Sequence, residues 1–360
     1  MSYVCSFPLQ PKMAGSRDLL GAWYALQQQD ASALSLHDAA RQLGVTEAQL
    51  LLARRDEGVI PLQPDWATLL PALESLGPVV GVTRNAHAIH ERTGVYGNVR
   101  FMGGGARLES ADISLHLTLS HWHHAMAVVE ESVGETCRSL AFFDRSGAAV
   151  HTIHLSADSD VKAFERMVSR HRLGMESWRF SPSLFQEPDH PVSQGIPRVD
   201  ITTLRDGWDN LLDSHDFEAL LRQCGLSRLN ALRLAGRERA FPVARDNGFT
   251  ILEYVRDDAL QVMVSVANPA TVQVHAGLLN RCFQGDGWWR VLDPRFRLHL
   301  CQSGISEVWV VCRPSRQGTT HSLEWYSRDG QLVMQLLGKS GRGQPDDPLW
   351  RNLMGSLDRL

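Results

Sequence analysis

The chain has 360 residues, 43% apolar and 21% charged, which is the balance of an ordinary soluble globular protein with room for two or three domains. Against 40 Asp and Glu stand 36 Lys and Arg, so the net charge is −4 and exerts no global pull toward nucleic acid or an anionic membrane surface. No apolar run approaches the roughly 20 residues of a membrane helix, and the first residues lack the apolar core of a signal peptide. The six cysteines form no Cys-x-x-Cys pair, which argues against a zinc ribbon or a redox dithiol. The expected compartment is the cytoplasm.

In chain order, apolar residues at three- and four-residue spacing predict helices over 16–29 and 35–55. After Pro61 the pattern changes to short runs of Val, Ile, Phe and Trp broken by Gly, Asn and Asp. These predict strands at 79–83, 113–119, 124–129, 139–143 and 150–155. Leu115-His116-Leu117-Thr118-Leu119 alternates as a half-buried strand should. Asp144-Arg145-Ser146-Gly147 reads as a hairpin turn, and a helix near 159–171 follows. A Pro-rich polar stretch at 181–198 reads as a linker. The order then recurs. Helical spacing covers 214–235, with Ser214 placed to cap it. After Pro242 come strands at 262–266, 296–301, 307–312, 322–326 and 332–337, a turn at Ser327-Arg328-Asp329-Gly330, and a helix near 345–357.

The recurrence is a duplication. Asn85, Gly94, Leu115-His116-Leu117, Ser139-Leu140, Arg145 and Gly147 return 183 residues later as Asn268, Gly277, Leu298-His299-Leu300, Ser322-Leu323, Arg328 and Gly330. Residues 115–147 align with 298–330 without a gap, identical at 11 of 33 positions, too many for chance at one fixed offset. Upstream, Arg41-Gln42, Gly44 and Pro61 match Arg222-Gln223, Gly225 and Pro242 at an offset of 181. The predicted fold is α+β, a tandem structural duplication in which each half is a large antiparallel sheet with flanking helices. The expected organisation is an N-terminal repeat over 1–180, the linker at 181–198, and a C-terminal repeat over 199–360.

Duplicated halves begin with equivalent sites, so differences between them point to function. Position 34, the counterpart of His215, is Leu; the counterpart of Arg228 is Glu47, and that of Arg313 is Glu130. One imidazole and two guanidinium groups thus belong to the second half alone. Together they suit a ligand with a metal at its centre and carboxylates at its rim. His121-Trp122-His123-His124, with His87 and His90 upstream, is a rival metal reading in which His121 and His123 share a strand face. It lacks the spacing of a zinc site, and solvated imidazoles on a turn are the plainer interpretation. His116 and His299 occupy equivalent strand positions between leucines. Gly103-Gly104-Gly105 lacks the strand–helix context of a nucleotide fingerprint, and neither Gly-x-Ser-x-Gly nor a Walker motif occurs. The segments 35–55 and 214–235 have helix-turn-helix spacing without a basic recognition face.

The second half resembles the bacterial cytoplasmic haemin-degrading and haem-trafficking family encoded with haem-uptake transporters. The resemblance lies in Gly287-Trp288, Asp293-Pro294-Arg295-Phe296-Arg297-Leu298-His299-Leu300, Glu307-Val308-Trp309-Val310, Arg313-Pro314, Ser322-Leu323-Glu324, Asp329-Gly330, Gly343-Gln344-Pro345 and Trp350-Arg351. The first half joins in at Asn85, His90-Glu91, Gly94, Tyr96, Asn98 and Trp122. The resemblance implies a non-covalent haem b, with His215 as axial iron ligand in the context Trp208, Phe217, Leu220-Leu221 and Leu226. It implies Arg228 and Arg313 as pocket arginines. Other positions depart from the family pattern. A haem-facing arginine falls on His116, aromatic residues fall on Thr118 and Ser265, and a late Tyr-Gly-x-Arg falls on Leu337-Gly338-Lys339-Ser340, with Arg342 close enough to stand in.

The function so implied is haem binding in the cytoplasm. Haem would arrive from an inner-membrane uptake transporter and be passed to a downstream acceptor or oxygenase, or be degraded oxidatively with electrons from an external reductase. A non-enzymatic haem chaperone or storage protein is the alternative, and a divalent-metal protein using His121–His124 a distant one. No nucleic-acid partner and no membrane insertion are expected. The first half, with Leu34, Glu47 and Glu130 at the equivalent positions, is not expected to hold haem in the same way.

Overall fold

The computed structural model describes residues 16–29, 35–54, 57–132, 134–174, 200–212, 214–316, 318–339 and 346–357. The linker expected at 181–198, Leu34 and Arg342 lie outside them. The first half gives α1 (Ser16–Gln29), α2 (Leu36–Leu43), α3 (Glu47–Ala53), β1 (Val59–Leu62), α4 (Trp66–Ala72), β2 (Val79–Arg84), β3 (Ala88–Gly94), β4 (Val99–Met102), β5 (Gly105–Glu109), β6 (Ser114–Thr118), β7 (His124–Ser132), β8 (Glu135–Phe143), β9 (Ala149–Leu155) and α5 (Val161–His171). The second gives α6 (Ile201–Asp209), α7 (Ser214–Cys224), α8 (Arg228–Ala235), β10 (Ala240–Val243), α9 (Arg245–Asp257), β11 (Val262–Ala267), β12 (Thr271–Gly277), β13 (Cys282–Gly285), β14 (Trp288–Asp293), β15 (Phe296–Cys301), β16 (Glu307–Ser315), β17 (Gly318–Tyr326), β18 (Leu332–Gly338) and α10 (Pro348–Gly355).

Local chemistry repeats with the sequence. Each of the two helical segments read at 35–55 and 214–235 is broken into a pair at a left-handed glycine, Gly44 (φ 66°) and Gly225 (φ 62°). The second helix of each pair is then capped by a hydroxyl: Thr46 accepts from Gln49 N and Ser227 from Asn230 N. Pro61 and Pro242 sit in the short edge strands β1 and β10, where a missing N–H is tolerated.

The two antiparallel sheets have nine strands each, in the orders β1-β7-β8-β9-β2-β3-β15-β14-β13 and β10-β16-β17-β18-β11-β12-β6-β5-β4. Each sheet therefore takes six strands from one half and is extended by a three-stranded flap from the other. The joints are β3–β15 and β12–β6. Side-chain packing is divided differently. Among the described core residues, the large second-half cluster contains one first-half residue, Ala88, and the large first-half cluster contains one second-half residue, Ala270. The flaps are thus shared through backbone hydrogen bonds, while each hydrophobic core stays within its own half.

Asn85 and Asn268 explain their own recurrence. The Asn85 carboxamide oxygen accepts from His87 N and Ala88 N, closing the β2–β3 turn, and its nitrogen donates across the molecule to Ala267 O (3.0 Å) and Val333 O (2.8 Å). Asn268 repeats this with Ala270 N and Thr271 N, and donates to Arg84 O (3.1 Å) and Val150 O (2.9 Å). One side-chain amide per half satisfies its own turn and two carbonyls of the other half.

Candidate functional site

Helices α6, α7 and α8 pack on the outer face of the β10–β16–β17 end of the second sheet. Trp208, Phe217, Leu220, Leu229 and Leu232 lie there against Trp309, Val311 and Tyr326. Because side chains alternate along strands, the register fixes what else shares that face. Arg313 on β16 is opposite Thr320; Glu324 on β17 is opposite Gln335; Gln335 is opposite Ser265. Ser265 is opposite Val274, and Val272 is opposite His116, which faces Arg107. Arg313, Ser265, Leu337, Thr118 and His116, scattered over more than 200 residues of sequence, thus belong to one face. Beyond the helices, its Gln335, Leu337, Ser265, Val272, Val274 and His116 are half-buried. His116 reaches this face only because the first-half flap is paired to β12.

His215 is the second residue of α7. Two residues on, Phe217 is fully buried and carries both arginines on its ring, Arg228 at 4.9 Å and Arg313 at 5.2 Å from the centroid. Arg228 is the first residue of α8. It clamps Glu324 with two hydrogen bonds, Nε to Oε2 at 2.8 Å and Nη2 to Oε1 at 2.7 Å, and reaches Glu218 on α7 at 3.0 Å. Glu324 has no solvent exposure and also accepts from Ser322 Oγ (3.0 Å), Tyr326 OH (2.5 Å) and Gln335 Nε2 (2.8 Å). Arg313 stands 4.0 Å from the same carboxylate.

Two guanidinium groups share one buried carboxylate, and Glu218 also pairs with Arg228, so Arg313 is the less compensated cation. Burial opposes ionisation of Glu324, but the charge and hydrogen bonds of Arg228, with the charge of Arg313, outweigh it and hold the carboxyl well below the usual carboxylate range. Burial and the nearby Arg228 push Arg313 the other way, making its charge the more costly of the two. Burial, then Glu324, raises the Tyr326 phenol, which stays a donor.

The first half holds the same places with the charges reversed. Glu47 stands for Arg228 and His37 for Glu218, and the pair persists: His37 Nδ1 lies 2.7 Å from Glu47 Oε1. Glu130 stands for Arg313 and is paired with Arg54 at 2.7 Å. Ala141 and Phe143 replace Glu324 and Tyr326. Sequence comparison of the halves found Arg228 and Arg313 but missed Glu324. The offset of 183 that pairs it with Ala141 was the available signal.

The rival histidine cluster is not arranged as expected. His121 ends a 3₁₀ turn (Leu119–His121), and β7 begins only at His124, so His121 and His123 share no strand face. Trp122 fixes this turn: it is buried 4.8 Å from the Phe142 ring and donates from Nε1 to Ala270 O. His90 is buried between the sheets. Among the described residues no three His, Cys, Asp or Glu side chains are grouped as a metal site, and no helix is long and apolar enough to cross a membrane.

Comparison with known proteins shows the family. The model of the haemin-degrading HemS.ChuX domain matches the chain twice, over residues 44–171 and 225–357. The hemin transport protein HmuS of Yersinia pestis is 32% identical over 321 residues, 89% of this chain and 92% of that protein. The hemin transport protein HemS of Yersinia enterocolitica is 30% identical over 322 residues, with the same coverage of each. The crystal structure of holo-PhuS, a heme-binding protein from Pseudomonas aeruginosa, superposes with a TM-score of 0.90 at 38% identity, covering 96% of this chain and all of that one. The heme degrading enzyme ChuS of Escherichia coli O157:H7 superposes with a TM-score of 0.87 at 27% identity, covering 95% and 99%.

Proposed function

The chain belongs to the family of the haemin-degrading HemS.ChuX domain, and from that premise we propose that it binds one haem b, non-covalently, between α7 and the outer face of the second sheet. The observation that carries this reading is the Arg228–Glu324–Arg313 cluster beneath α7, set against its charge-reversed counterpart in the first half. A half-buried, largely uncharged sheet face suits a flat apolar ring. Arg313, a guanidinium with only a 4.0 Å contact to a carboxylate, suits a propionate. His215, in the first turn of α7, supplies the axial imidazole. Arg313 is the main propionate partner, and Arg228, tied to Glu324, holds Phe217 and α7 in place. His116 and Arg342 complete the assigned site.

Haem contributes its redox-active iron and its porphyrin; the chain holds and orients them. In the cytoplasm the protein takes haem from an inner-membrane uptake transporter and passes it to an acceptor or opens the ring with electrons from an external reductase. One feature favours the carrier over the enzyme. The wall formed by His116, Thr118, Ser265 and Leu337 carries neither the arginine nor the aromatic residues that the family pattern puts there. Spectra of the haem complex, recorded with a reductase and catalase under air and under nitrogen, separate the two. An enzyme loses its Soret band only in air and yields a tetrapyrrole fragment and iron. A carrier keeps haem intact and surrenders it to apo-acceptor.

A further inference from the structure

The β16–β17 hairpin carries a second group of reactive side chains on the face opposite Arg313. Cys312 and His321 are direct cross-strand partners, so their side chains are neighbours on that face. His321 Nδ1 lies 2.9 Å from Asp346 Oδ2, and the same oxygen accepts from His321 N at 2.6 Å. Asp346 is 4% exposed, which fixes the carboxylate in one place. The His321 backbone is also held, because Trp350 Nε1 donates to His321 O at 2.9 Å. With Nδ1 on the carboxylate, Nε2 is the nitrogen left for the thiol. A cavity of about 340 Å³ opens beside the ring, and the described residues lining it are Gly318, Thr319, His321 and Arg351.

We propose that Cys312, His321 and Asp346 form a nucleophilic thiol site, separate from the haem slot, that takes small carboxylate-bearing electrophiles from this cavity. The arrangement has the parts such chemistry needs: a nucleophile beside an imidazolium, the ring oriented by a third group, and a cation where the substrate enters. The Asp346 hydrogen bond, then the hydrogen bond with Cys312, raise the His321 imidazole to about 9, so at neutral pH the ring is an imidazolium beside the sulfur. Arg351 is exposed on α10 and holds one hydrogen bond, Nη2 to Asp346 O at 3.2 Å, which aims its guanidinium at the cavity mouth and selects an anion. In the reaction the Cys312 sulfur forms a bond to the electrophilic carbon. The bond from that carbon to its leaving group breaks, the leaving group departs with the electron pair, and the thiol proton passes to water, because His321 is already protonated.

The test is alkylation of the full-length protein at pH 7.5 by iodoacetate and by iodoacetamide, with mass spectrometry of each cysteine peptide. Sulfur–carbon bond formation then expels iodide. Cys137, exposed and without such neighbours, is the internal reference. We expect Cys312 to react with iodoacetate roughly tenfold or more faster than Cys137, and to prefer iodoacetate over iodoacetamide more strongly. Arg351→Ala should remove the preference for the anion and leave the iodoacetamide rate. His321→Asn and Asp346→Asn should slow both reagents at Cys312 and leave Cys137 unchanged. A Cys312 that reacts no faster than Cys137 in the wild type, or that shows no anion preference, overturns the proposal whether or not the His321 variant folds.

Discussion

Arg228 and Glu324 form a bidentate ion pair in the second half, at 2.7 and 2.8 Å, at the place where the first half has Glu47 and Ala141. Glu324 is the only carboxylate within 4.0 Å of Arg313 among the described ion pairs, and Arg228 shares it. Removing it leaves Arg313 with no carboxylate among the described ion pairs and Arg228 with Glu218 alone. Glu324→Ala is expected to cost about 3–5 kcal/mol of stability, the price of an uncompensated buried charge. Replacing Arg228 as well, Arg228→Met with Glu324→Leu, should cost less than Glu324→Leu alone, because only Arg313 is then left without its carboxylate. Chemical denaturation of the three variants checks the order.

Arg313 and Arg228 should separate by what they disturb. Arg313→Ala removes a cation whose contact with Glu324 is long, so stability should change little. Haem binding should weaken by roughly tenfold or more, the loss of one charge-assisted contact of about 1.5–3 kcal/mol. Arg313→Lys should restore it only in part, because an ammonium cannot make the planar two-point contact with a carboxylate. Arg228→Ala should lose stability as well as affinity. Haem titration alongside thermal unfolding distinguishes the pair.

Much of this was legible in the sequence. The 183-residue offset marked Asn85 and Asn268, the hairpin turns and Arg313, and the 181-residue offset upstream marked Arg228, because turn chemistry and charge are local. What was not legible is which strand edges meet. Nothing in the alternation of β6 or β15 says that each pairs with the other half, since alternation specifies a face and not a neighbour. For that reason His116 could be named as a candidate but not placed on the Arg313 face. Glu324 was hidden for a related reason: a carboxylate inside an apolar strand motif reads as fold, and its meaning appears only when Arg228 arrives from a helix 96 residues away.

The inter-sheet layer makes the protein sensitive to acid. His90 is fully buried with both ring nitrogens unpartnered, His275 stacks on Phe296 at 3.8 Å, and His151 is held between Tyr96 OH (2.6 Å) and Thr83 (2.8 Å). Burial pushes His275 down to about 4 and His151 down to about 3, and pushes His90 well below its ordinary value. Unfolded, each titrates near about 6.5. Below that value the unfolded chain binds more protons, so these groups contribute full stability above about pH 6.5 and lose it progressively toward pH 4. Denaturation midpoints at pH 7.5 and 5 should differ. His90→Leu should reduce the difference; an equal drop in that variant would place the acid sensitivity elsewhere.

Asn85→Ala and Asn268→Ala should destabilise by similar amounts, about 1–3 kcal/mol each, because each strands two carbonyls of the opposite half and opens its own turn. Urea midpoints compare them directly. A large asymmetry would mean that the two joints between the halves are not equivalent.

Haem is expected under α7 with His215 on its iron. The direct measurement is the absorption spectrum and dissociation constant of the one-to-one haem complex of wild type and His215→Ala. The account predicts a displaced Soret band and an affinity reduced by more than about tenfold in the variant. An unchanged spectrum with unchanged affinity would remove His215, and with it the slot between α7 and the second sheet, from the haem site.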